Sequence, residues 1–149
     1  MRSVGRSVSV FGIVIALTVL AGSSALGAWP KSVYLVKNCA GGVPPCLVTS
    51  STLKVLRGTT FNYLAPALLA TTGSPMLITT PDTRGVRSGT ADGLCHFFMA
   101  LGTGHCEFAG GTGSLSGFHM NAAVLFIGGG PNFSLTGTYW FEHGNGDDD

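Results

Sequence analysis

Between Gly102 and Phe141 the chain reads GTGHCEFAGGTGSLSGFHMNAAVLFIGGGPNFSLTGTYWF, short apolar runs separated by clusters of glycine. That spacing works against helices, because each glycine inside one costs about 1 kcal/mol relative to alanine. In turns the same residue supplies backbone conformations that other residues resist. The segment therefore predicts an antiparallel meander of strands joined by tight turns. Only 10% of the residues are charged, too few to coat the wet faces of helices. Glycine, serine, threonine and aromatics suit strands and turns instead. The fold class expected is all-β: a small antiparallel β-barrel, with a β-sandwich as the alternative.

Alternation fixes the faces. Strands are expected near 94–101 and 105–109, flanking a hairpin loop at Gly102-Thr103-Gly104, and near 118–127 and 133–142, joined by a turn over Gly128–Pro131. Phe118, Met120, Val124 and Phe126 fall on one face of their strand, as do Phe133, Leu135, Tyr139 and Phe141. A strand sends residues two apart to one side, so these sets should pack together in the core. Upstream, Ser32–Asn38, Leu47–Leu56 and Met76–Thr80 read as strands. The stretch Phe61–Ala70 reads equally as a short helix or a loop, because Pro66 and several small residues interrupt it.

The N-terminus reads as a leader. Arg2 and Arg6 precede an apolar run from Val8 to Leu20, and small residues follow to Ala28. This is the layout of a secretory signal peptide over residues 1–28, with a mature chain starting near Trp29. Residues 29–143 then form one domain, and 144–149 a disordered acidic tail. Without Arg2 and Arg6, six basic residues face seven acidic ones. A body so near neutrality has no field to gather phosphate backbones, so nucleic acid is not an expected partner. A membrane enters only through an uncleaved leader. The location expected is secreted or periplasmic.

The block CEFAGGTGSLSGFH, followed one strand later by LTGTYWF, resembles the allene oxide cyclase and dirigent barrels over Cys106 to Phe141. The likeness lies in a Gly-Gly-Thr-Gly turn, an alternating strand and a final aromatic strand. It implies a small antiparallel barrel with an apolar cavity, often an oligomer. No catalytic or ligand-contacting residue of that family falls on a matching position here.

Four cysteines in an exported chain argue for two disulfides. Cys39 and Cys46 enclose the proline-bent AGGVPP and are read as one local bridge. Cys95 and Cys106 close locally if the loop between them is wide. A tight hairpin at Gly102–Gly104 would separate them, and the bridges would then run between the two pairs. No C-x-x-C spacing points to zinc, and no metal or cofactor is expected.

Among titratable groups, His105 and Glu107 stand two apart on one strand face, and His119 interrupts an otherwise apolar strand. These three are the candidate catalytic residues. Polar residues on a wet barrel wall are the plainer account of them. No G-x-S-x-G elbow and no Walker lysine is present. The functional reading is an exported, non-catalytic barrel that binds a small apolar ligand or assembles with copies of itself. The alternative is a cyclase or isomerase acting on a lipid-derived substrate in an apolar cavity, a chemistry that needs few polar groups.

Overall fold

The computed structural model describes residues 29–42, 45–64, 73–82 and 87–142. The predicted leader (1–28) and acidic tail (144–149) lie outside the described residues. Eight strands follow one another: β1 (Lys31–Asn38), β2 (Cys46–Ser51), β3 (Thr60–Tyr63), β4 (Ser74–Thr79), β5 (Thr90–Phe98), β6 (Thr103–Ala109), β7 (Phe118–Phe126) and β8 (Asn132–Phe141). Each pairs antiparallel with the next, and β8 returns to β1, so the sheet closes on itself as a barrel. Closure gives every strand a neighbour on both sides and excludes the sandwich alternative.

Alternation builds the interior. Phe118, Met120 and Val124 of β7 face Phe141, Tyr139 and Leu135 of β8 in register, and all six are buried. Val33 and Leu35 of β1, Ile78 of β4 and Phe108 of β6 join the same core. Eight strands leave an interior about wide enough for side chains to fill, so bulky residues need small ones opposite them. Gly93 is placed against Phe108, where a Cβ would fall 2.2 Å from the ring. At Gly137 a Cβ would lie 2.0 Å from the Asn121 carbonyl oxygen. The two ends of the barrel differ. At the base, short 3-10 turns at Lys54–Leu56 and Gly113–Leu115 bury Leu56 and Leu115 completely. The Thr80 hydroxyl donates to the Gly89 carbonyl, accepts from the Gly89 amide and is hydrogen-bonded with Ser114, which laces the connections there. The opposite end, the mouth, carries the β1–β2, β3–β4, β5–β6 and β7–β8 connections.

Three expectations need correction. The β5–β6 turn spans residues 99–102, not Gly102–Gly104, because β5 already ends at Phe98 and β6 begins at Thr103. The wider turn brings Cys95 opposite Cys106, and the two form a disulfide across the pair; Cys39 and Cys46 form the other. The strand expected to run to Leu56 ends at Ser51 and passes into the 3-10 turn. Within the ambiguous 61–70 stretch, Phe61–Tyr63 belong to β3, and 65–70 lie outside the described residues.

A buried lysine under an aromatic mouth

β1 sends Val33, Leu35 and Lys37 to the same side, and all three are buried. That side is the interior, so the strand carries a lysine into the core, where it is 0% exposed. A β-bulge sits beside it. Val36 pairs with Ser50 and Lys37 with Val48, which leaves Thr49 without a counterpart. The Thr49 hydroxyl donates to the Val36 carbonyl at 3.2 Å. A bulge of this kind bends its strand and re-aims the neighbouring side chains. It also switches β2 from inward even positions (Cys46, Val48) to the inward odd position Ser51.

The amine is surrounded by rings. Lys37 Nζ lies 4.9 Å from the centre of Phe61, 5.1 Å from Tyr63 and 5.9 Å from Phe133. It donates a hydrogen bond to Tyr63 Oη at 3.1 Å. Aromatic faces attract a cation, but they replace water poorly for an ammonium that has left it. Burial accordingly lowers the Lys37 pKa from 10.5 to about 7. Burial also raises the Tyr63 pKa above its ordinary 10, so the phenol keeps its proton at neutral pH. The pair therefore presents an amine that is largely uncharged near neutrality beside a phenolic donor.

A run of rings connects this pair to the surface. Phe133 meets Phe97 edge to face at 5.3 Å and Phe126 at 5.5 Å. Phe126 ends β7 at the mouth and is 46% exposed. Near it are Phe98 at the end of β5, Met99 and Leu101 from the β5–β6 turn, and Leu125 and Ile127 on either side of Phe126 in the chain, all exposed. The two turns are tied by a hydrogen bond from the Phe126 amide to the Gly102 carbonyl at 2.7 Å. Six large apolar side chains are thus exposed at the ends of β5 and β7 and in the turns that follow them, and exposed apolar surface of this kind marks interaction sites.

The residues singled out from the sequence lie elsewhere. His105, Glu107 and Asn121 gather on the outer wall of β6 and β7. Glu107 Oε1 is 3.1 Å from His105 Nε2 and accepts from Asn121 Nδ2 at 3.3 Å. His119 contacts Glu142 at 2.8 Å and stacks on Trp140 with ring centres 4.8 Å apart. None of these side chains points into the barrel with Lys37. Among the described residues, no group of three or more His, Cys, Asp or Glu side chains is arranged to hold a metal ion. His143 lies outside the described residues. Asn132, in an Asn-Phe-Ser sequon, accepts from Asn38 at 2.6 Å and donates to the Gly129 carbonyl at 3.2 Å. Sequence reasoning passed over Lys37 altogether. The signal that could have found it is parity, since it continues the inward series of Val33 and Leu35. No family model, curated protein or solved structure matches this chain.

Proposed function

We propose that the protein is an exported, non-catalytic barrel that binds a small apolar molecule at its mouth. The observation that carries this is the position of Lys37, a fully buried amine one aromatic ring below an exposed apolar rim. A barrel whose only task was to fold would gain by replacing a desolvated amine with an apolar side chain. A ligand seated on the rim gives the lysine and Tyr63 a purpose, because a few placed polar groups orient a molecule held mainly by apolar contact. Two disulfides support an oxidising, extracytoplasmic setting. The resemblance to allene oxide cyclase and dirigent barrels supports apolar-ligand binding as well. The outer-wall placement of His105, Glu107 and His119 favours binding over their use as catalysts on a molecule inside the barrel.

The test is a fluorescence titration with N-phenyl-1-naphthylamine, an uncharged apolar probe. Saturable binding at one probe per chain is expected. Met99→Glu with Leu101→Glu should weaken it at least tenfold while leaving the circular dichroism spectrum unchanged. Absence of saturable binding would overturn the reading. If the rim instead joins two copies, sedimentation will show a dimer that the same double variant dissociates.

A further inference from the structure

We infer that the molecule bound at the mouth is an apolar aldehyde, which Lys37 captures covalently as an imine beside Tyr63. The inference rests on the proposed reading of the mouth as a ligand seat and names the class of molecule that sits there.

Geometry comes first. Among the described residues, Lys37 Nζ donates a hydrogen bond to Tyr63 Oη and is framed by the rings of Phe61, Tyr63 and Phe133. Tyr63 and Phe133 are only partly buried, and Phe133 touches the exposed Phe126. They are the side chains that an incoming molecule displaces to reach the nitrogen. A carboxylate ligand would need a protonated lysine and would bring a second charge into this apolar setting, which burial disfavours. A neutral electrophile brings none. Burial leaves a large uncharged fraction of Lys37 near neutrality, and an unprotonated amine in an apolar pocket is the form that attacks a carbonyl. An aldehyde is smaller and more electrophilic than a ketone, so it suits an amine sunk below the rim.

The chemistry balances without an oxidant or reductant. The nitrogen lone pair forms a C–N bond to the carbonyl carbon, and the C=O π pair moves to oxygen, which takes up a proton. The resulting carbinolamine loses its hydroxyl as water. The nitrogen gives up its two protons over the sequence, and R–CHO plus Lys–NH2 becomes R–CH=N–Lys plus H2O. Tyr63 Oη, 3.1 Å from Nζ and protonated at neutral pH, is placed to donate to the departing hydroxyl and to recover a proton from the nitrogen.

The experiment treats the exported full-length mature protein with octanal and cyanoborohydride, which fixes an imine as a secondary amine. Intact-mass analysis and peptide mapping follow. One adduct per chain is expected, on Lys37, formed at least tenfold faster than on Lys31 or Lys54. Its rate should rise about fivefold from pH 6 to pH 7, reach about tenfold by pH 8 and level off above it, and Tyr63→Phe should slow it about tenfold. Lys37→Arg should abolish that adduct, and if this variant does not fold, the Tyr63→Phe rate and the pH profile decide instead. Equal labelling of all lysines, or none at Lys37, while the naphthylamine probe still binds, would overturn the imine and leave the ligand seat standing. Octanoate protecting Lys37 better than octanol does would make the lysine an anion anchor, and the inference would fall. If neither the probe nor octanal engages the mouth, the ligand-seat reading fails with it. Labelling of Lys37 without probe binding would support the imine and sink the apolar seat.

Discussion

Two residues show how position along a strand sets energy. Lys37 occupies an inward slot of β1, and burial holds its pKa near 7 against an ordinary 10.5. Between those values the unfolded chain keeps a proton that the folded chain has lost. Stability should therefore rise with pH across this window, with a limiting slope of about 1.4 kcal/mol per pH unit. Below pH 7 both states are protonated, so the cost of burying the charge is complete and flat. Above pH 10 the raised pKa of Tyr63 acts in the opposite sense, because the unfolded phenol ionises first. Urea denaturation from pH 6 to 10 should show the rise in the wild type and lose that component in Lys37→Met. Phe126 is the second case. Alternation assigns it to the core, and its parity is inward, yet it stands at the end of β7 and remains 46% exposed. Phe126→Ala should cost less than about 1.5 kcal/mol, whereas Phe118→Ala, at the fully buried base, should cost about 3–5 kcal/mol. Equal losses by thermal denaturation would mean that the mouth is packed like the base.

Strands were legible because a period-two pattern survives over most of β7 and β8, from Phe118 to Val124 and from Leu135 to Phe141. β2 was not legible, because the bulge at Thr49 shifts the inward residues from even to odd and breaks the pattern midway. The β5–β6 turn was misplaced for a related reason. Glycine marks turns, but Gly104 lies within β6, where a Cβ would come 2.3 Å from the His96 carbonyl oxygen. Its role is close approach of neighbouring backbone rather than a turn. The same logic separates Gly137 from Gly110. Gly137→Ala forces a Cβ against β7 backbone and should cost about 1–3 kcal/mol or more. Gly110 has a φ of 69° with open space around it, so alanine there meets only backbone strain, about 1–2 kcal/mol. Urea midpoints for the two variants check the ranking. The Cys95–Cys106 bridge ties β5 to β6, and replacing both cysteines by alanine should remove about 3 kcal/mol on the chain-entropy model.

At the scale of the whole molecule, closure makes the barrel asymmetric. Leucines from two 3-10 turns are buried at the base, and the mouth exposes aromatic and aliphatic side chains at the ends of β5 and β7 and in the turns that follow them. The sequence carried the barrel through its alternation but hid the candidate site. The amine and its rings come from β1, β3, β5 and β8, strands distant in sequence that meet only on closure. The histidines that drew attention are local features of strands and end on the outer wall. The claim that a small apolar molecule occupies the mouth is tested most directly by the methionine methyl groups. Met99 stands on the rim at 76% exposure, Met76 is buried beside Tyr63 in the strand register, and Met120 is buried opposite Tyr139 toward the base. Carbon-13 methyl spectra should be followed as the naphthylamine probe is added. The account predicts that Met99 and Met76 shift together and saturate at one equivalent while Met120 stays in place. An unmoved Met99 at saturating probe would contradict it.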